Sequence, residues 1–233
     1  GATAGNPFPG LRPFEAEEDH LFFGRETRVD DLLRRLRFNR FLAIVGTSGC
    51  GKSSLIRCGL VPALHGGQMV KAGSSWRIAI MRPGGHPFRE LAAALAGPDV
   101  LDMAPSPMNV PGAALVEVAM RRGARGLVDA VRQARLPPSD NLLVVVDQFE
   151  ELFRFQKTRG SDGHGEAVSF VKLLLEASEQ ADVPVYIVTT MRSDFIGDCM
   201  EYPGLPEALN NSQYLVPRMT RDELRAAITG PVA

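Results

Sequence analysis

Residues Gly46-Thr47-Ser48-Gly49-Cys50-Gly51-Lys52-Ser53 place three glycines, a lysine and three hydroxyls between an apolar run and a helical pattern. The spacing G-x-x-x-x-G-K-[ST] suits one chemistry, the cradling of a phosphate chain. Glycines let the backbone turn sharply and aim successive N–H groups at one point. A helix starting near Lys52 adds its positive dipole end there. Lys52 brings a full charge for β- and γ-phosphates, the Ser53 hydroxyl can ligate Mg²⁺, and Ser54 completes the phosphate-binding set. Cys50 fits a variable position of the loop, with redox control of the loop as the alternative.

Three further stretches carry chemistry. In "LLVVVDQFEEL", residues 142–152, a buried strand delivers Asp147 at its C-terminal end, where an acid holds Mg²⁺ opposite Ser53. Hydrolysis also needs a carboxylate to orient or deprotonate water. Gln148 stands where many such ATPases have a Glu, so the candidates for that base are Glu150 and Glu151. Both acids equally suit the first turn of a helix. In "IVTTMRSDF", a strand ends at Thr189, Thr190 and Arg192, and Arg192 is the candidate sensor of the γ-phosphate, with Asp194 to orient it. A surface arginine at a strand end is the plainer alternative. In "HLFFGRETRVDDLL", Phe23, Gly24 and Arg25 are expected to fold over the base of a nucleotide, Phe22 and Phe23 serving as an apolar wall or as plain core.

These groups need elements to position them. "ETRVDDLLRRLR" has Val29, Leu32, Leu33 and Leu36 on one helical stripe. "RFLAIV", "SWRIAIM", "NLLVVVDQ" and "VPVYIVTT" read as strands, "SQYLVPRM" as a fifth, and helical patterns alternate with them. That alternation predicts an α/β fold with a parallel sheet and helices on both faces. "KSSLIRCGLVPAL" reads as a helix, residues 112–135 as one or two helices broken near Gly123, and "TRGSDGHGE" as a mobile polar loop. Residues 98–111 are proline-rich and read as irregular. Thr220 and Glu223 have the spacing of a capping box.

Composition narrows the classes of function. A chain of 233 residues, 45% hydrophobic and 23% charged, can bury a core without disulfides. Three cysteines without paired spacing read as free thiols, which makes the cytoplasm the expected compartment. A net charge of −1 gives no global field for nucleic acid or anionic lipid. No apolar run is long enough to span a membrane. The arginines at 121, 122, 125, 132 and 135 are the candidate basic patch, or else a solvated helix face. The histidines at 20, 65, 86 and 164 are too dispersed to nominate as metal ligands. Residues 1–10 read as a flexible leader or linker and 11–233 as one domain.

"PFPGLRPFEAEEDHLFFGRE", "VGTSGCGKSSLIRCGLVPAL", "MRPGGHPF", "VVVDQFEELF", "TMRSDF" and "LRAAITGP" together resemble the novel STAND NTPases of the first group. The resemblance implies a three-layer P-loop NTPase core, strand order 5-1-4-3-2, related to AAA+ and NACHT ATPases. It implies ATP or ADP as ligand, alongside the Mg²⁺ expected at Ser53 and Asp147, and a conformational switch in signalling or defence; a core without a lid to exclude water is expected to hydrolyse ATP slowly. It also implies partners on a longer chain: an effector, a lid and winged helix, and a repeat sensor. The sequence stops before any segment resembling that lid, so it reads as the core alone, able to form a homo-oligomer when activated. Asp147-Gln148-Phe149-Glu150-Glu151 resembles the NACHT pattern D-G-h-D-E with two departures, which leaves the base unassigned. Two other classes stay open: a nucleotide-binding module without useful turnover, and a DNA-loading AAA+ ATPase. ATP is preferred over GTP by the resemblance and by the lack of an [NT]KxD element. Whether an arginine from a neighbouring subunit completes the site stays open in the sequence, with Arg82 as the candidate.

Overall fold

The computed structural model describes residue 10 and residues 12–70, 72–102 and 110–232. Most of the expected leader, and residues 103–109 of the proline-rich stretch, lie outside the described residues. In chain order the elements are α1 (Glu26–Phe38), β1 (Phe41–Gly46), α2 (Lys52–Ser54), a π-helical segment (Leu55–Leu60), α3 (Val61–His65), β2 (Trp76–Met81), α4 (Pro87–Leu95), α5 (Gly112–Met120), α6 (Gly126–Ala134), β3 (Asn141–Val146), α7 (Glu151–Glu179), β4 (Val185–Arg192), α8 (Leu205–Asn211), β5 (Gln213–Leu215) and α9 (Arg221–Thr229). The strands form one five-stranded sheet in the order β2-β3-β4-β1-β5, every pair parallel. This is the expected order 5-1-4-3-2.

The central strands are buried on both faces, as a parallel sheet covered by helices requires. Along β3, Leu142, Val144 and Val146 enter one core while Leu143 and Val145 enter the other. The first core is closed by residues of α4 to α8, such as Leu91, Leu127, Phe170 and Leu205. The second is closed by Leu32, Leu36, Leu60 and Leu64 from α1 and the helix after the glycine loop. These two helices touch closely, since a Cβ at Gly59 would lie 2.6 Å from Val29 Cγ2. The helix after the loop widens into a π turn, with the Val61 N–H bonded to the Ile56 carbonyl, just before Pro62 removes a donor.

One expectation fails. The segment "TRGSDGHGE" is not a loop but helical on either side of Gly160, where φ 65° and ψ −146° put a kink between the two helical parts of α7. Apolar residues of both parts, Phe153 before the kink and Ala167 and Phe170 after it, are buried in the first core, and that packing supports helix on each side of Gly160 in a polar stretch with no period of its own. No helix among the described residues is long and apolar enough to cross a membrane.

Candidate functional site

Strand order builds the site. β1 ends at the glycine loop and β3 ends at Asp147, and β4 runs between them. Register sets Arg192 beside Gly46 on one side and Thr189 beside Val146 on the other, which brings Thr190 level with Asp147.

The loop has the backbone its glycines permit. Gly49 and Gly51 take φ 73° and 87°, and a Cβ on either would meet nothing within 4 Å, so the requirement is conformational. Gly46 is closely packed, since a Cβ there would lie 2.7 Å from Cys50 Sγ and 3.3 Å from Val216 Cβ. Thr47, Ser48, Gly49 and Gly51 are exposed and Cys50 half-buried. Gly51 precedes the first turn of α2, where backbone N–H groups lack intrahelical partners. Lys52 Nζ donates to the Gly46 and Thr47 carbonyls, each at 2.9 Å, and so spans the loop it serves. The Ser54 hydroxyl accepts from the Phe14 N–H at 3.1 Å, which ties the loop helix to the N-terminal segment.

Across the sheet, Ser53 Oγ donates to Asp147 Oδ1 at 2.8 Å. Thr190 Oγ1 donates to the same oxygen at 2.6 Å and accepts the Gln148 N–H at 2.9 Å. Asp147 is 1% exposed, and its Oδ2 is buried without a hydrogen bond. Arg82 Nε lies 3.6 Å from that oxygen. A buried carboxylate oxygen left open beside a hydroxyl is a hard-oxygen donor set that fits Mg²⁺. Among the described residues no cluster of three or more His, Cys, Asp or Glu is placed to hold a metal unaided. The cation would therefore draw its remaining ligands from phosphate and water.

The structure separates the two candidate bases. Glu150 is 5% exposed and its Oε2 accepts the Arg192 N–H at 3.4 Å, on the β4 side next to the loop. Glu151 faces the β2 side, where its Oε2 accepts the Gly84 N–H at 3.1 Å. The Arg192 side chain is paired with Asp194 and lies 5.7 Å from the Phe195 ring centroid. Pairing holds the Arg192 guanidinium above, and the Asp194 carboxyl below, their ordinary values.

The Gly24-Arg25 element sits behind the loop. Arg25 is 7% exposed and donates to the Cys50 carbonyl at 3.2 Å and the Pro217 carbonyl at 3.3 Å. Gly24, at φ 80°, is pressed against α9: a Cβ there would lie 2.4 Å from the Glu223 carbonyl oxygen. Arg28 pairs with Glu223 at 2.8 Å, and the Phe23 ring packs over Gly230. Phe22 instead faces Phe14 edge-on, with centroids 5.8 Å apart. The N-terminal, loop and C-terminal segments thus converge on one place.

Sequence reasoning missed Thr190 as the partner of Asp147, and the signal for it was the pair of threonines ending β4. It also missed that Arg82 faces Asp147 of its own chain. The arginine cluster is partly neutralised: Arg121 pairs with Glu117 and Glu166, each at 2.9 Å, and Arg132 pairs with Asp182, while Arg125 keeps its charge and hydrogen-bonds the Gln180 amide. Of the thiols, Cys58 and Cys199 are buried, and burial pushes both up to about 12.

Comparison with known proteins agrees with this fold. The family model described as Novel STAND NTPase 1 matches residues 7–233. Among solved structures, the ORC2 protein of Aeropyrum pernix, in ADPNP and ADP complexes, is similar in fold with a TM-score of 0.53 and 14% identity. That similarity covers 94% of this chain and 53% of the other, so the chain spans about half the length of that structure.

Proposed function

This chain belongs to the Novel STAND NTPase 1 family, and on that premise we propose that it binds ATP and ADP with Mg²⁺ and hydrolyses ATP slowly. In this reading it is the switch core of a signalling or defence protein. One observation carries the proposal. The Ser53 hydroxyl and Asp147 carboxylate, 94 residues apart, meet at 2.8 Å beside a glycine loop, with the second carboxylate oxygen left buried and open.

The residues divide the work. Backbone N–H groups of residues 46–53 and the Lys52 ammonium receive the phosphates, for which Lys52 exchanges its two loop carbonyls. Ser53 and Asp147 hold the cation, which when bound neutralises phosphate charge. Glu150 accepts the proton of the attacking water, a role supported by its contact with the N–H of Arg192, the residue that stands beside Gly46 of the loop. Water oxygen bonds to the γ-phosphorus as the bond to ADP breaks. Arg192 then tells ATP from ADP once it leaves Asp194. Turnover is slow because Glu150 is buried and already accepts a backbone N–H. The switch acts on partners carried by a longer chain and on other copies of the activated protein.

Single-turnover hydrolysis with excess protein tests this. Lys52→Ala should abolish nucleotide binding, and Glu150→Gln should keep binding and lose hydrolysis by about 10²–10⁴-fold. Equal rates in Glu150→Gln and wild type would remove Glu150 from the chemistry. The buried setting of Glu150 also favours a second reading, a module that holds nucleotide without hydrolysis. Mg²⁺-dependent binding with no product after one turnover would establish that reading instead.

A further inference from the structure

Arg82 and Asp147 directly follow the ends of two adjacent strands, β2 and β3. Asp147 follows β3, its N–H bonds the Met81 carbonyl at 2.8 Å, and Arg82 is the next residue after Met81. The backbone therefore fixes the two side chains at one level. The Arg82 guanidinium lies 3.6 Å from Asp147 Oδ2, an ion pair without a hydrogen bond. Its own surroundings are open, with 49% of the Arg82 side chain exposed against 2% for Asp147. A further contact gives this position direction. The Gln148 amide, assigned so that its polar atoms match their neighbours, accepts from Arg82 Nη2 at 3.3 Å and donates to Glu151 Oε1 at 3.0 Å. Glu151 in turn accepts the Gly84 N–H. Residues 82–84 and 148–151 are joined in one polar ring that ends on the open oxygen of Asp147.

We propose that Arg82 is a built-in counter-cation for Asp147: it holds the buried carboxylate when no divalent cation is bound, and Mg²⁺ must displace it. A buried carboxylate with one oxygen unbonded is costly without a positive neighbour. The guanidinium supplies one in a way that is easily given up. It is half-exposed, so leaving returns it to water, and it makes no hydrogen bond to Asp147 that would have to be broken. A guanidinium and a divalent ion at the same oxygen repel each other, so the two occupancies exclude each other. Arg82 thus sets how much Mg²⁺ the site needs, and it makes the metal-free protein the more stable for it. The inference rests on the reading of Ser53 and Asp147 as a Mg²⁺-nucleotide site.

The test follows binding of a fluorescent ADP from EDTA to millimolar Mg²⁺ in wild type, Arg82→Ala, Arg82→Gln and Arg82→Lys. It also records thermal midpoints in EDTA without nucleotide. The Mg²⁺ midpoint should fall roughly two- to fivefold in Arg82→Ala, the range open to a half-exposed ion pair. Arg82→Gln, which keeps a partner for Gln148 but no charge, should follow Arg82→Ala. Arg82→Lys should stay near wild type. The thermal midpoint in EDTA should drop in the two uncharged variants, and Mg²⁺ with ADP should restore more of it there than in wild type. An unchanged Mg²⁺ midpoint would overturn the proposal, and so would a raised one, which would make Arg82 a support of the loaded site. If wild type binds ADP with a clear Mg²⁺ requirement and the variants do not shift it, only this inference falls. If wild type binds no ADP at any Mg²⁺ concentration, the reading of the site falls with it.

Discussion

Replacing Thr190 with valine keeps the shape of a fully buried side chain and removes its hydroxyl. Thr190 Oγ1 gives the 2.6 Å bond to Asp147 Oδ1 and takes the 2.9 Å bond from the Gln148 N–H. A hydrogen bond to a charged group contributes ~1.5–3 kcal/mol, and a backbone donor left without its partner costs ~1–3 kcal/mol. The extra methyl returns about 0.8 kcal/mol. Thr190→Val should therefore lose roughly 2–5 kcal/mol, a large share of the ~5–15 kcal/mol typical of a folded domain. Urea unfolding should show a lower midpoint with an unchanged slope, and the melting temperature should fall by about 2–4 °C per kcal/mol. Thr190→Ser keeps the hydroxyl and loses only a methyl, so it should cost about 1 kcal/mol. The contrast between the two variants isolates the hydroxyl from the packing. If Thr190→Val is as stable as Thr190→Ser, the two bonds do not support Asp147 and the reasoning fails.

Two other substitutions probe the frame around the site. Gly24→Ala forces a Cβ to 2.4 Å from the Glu223 carbonyl at φ 80°, so it should cost about 2–4 kcal/mol in unfolding measurements; a loss below about 0.5 kcal/mol would show that α9 is not seated there. At the opposite end of the sheet, hydrogen bonds from Ser75 and then Arg77 hold the Asp140 carboxyl below its ordinary value. A depressed carboxylate adds stability that is full above the unfolded value near about pH 4 and is lost as pH falls through the folded value. The stability gap between wild type and Asp140→Asn should therefore shrink between about pH 5 and pH 2, and a gap that stays flat would exclude this pair as an acid-sensitive contact.

The sheet was legible because its residues obey two simple constraints at once. Continuous aliphatic runs such as Leu142 to Val146 fit a strand buried on both faces, as in a covered parallel sheet. The glycine loop was legible because few residue types satisfy its backbone and its charge together. The ion and hydrogen-bond partners were not. Thr190 reaches Asp147 because β4 lies between β1 and β3 in a register that sets Thr189 beside Val146. A one-residue slip would move Thr190 to another level, and nothing in "IVTTMRSDF" states that register. Arg82 meets Asp147 for the same reason, one strand further out.

The error over "TRGSDGHGE" has the opposite origin. Glycine and polar residues there are poor helix formers, and local propensity argues for a loop. Yet helices in proteins draw most of their stability from the face they pack. Phe153 before the insert, and Ala167 and Phe170 after it, lie in the same core. The two helical parts that carry them meet in a kink at Gly160, a residue that takes a positive φ without a steric penalty. The local cost is then a few weak positions, set against the burial of two large aromatic side chains. Burial wins because each buried phenylalanine contributes about 1.5–3 kcal/mol, whereas each poor helix former costs about 1 kcal/mol or less.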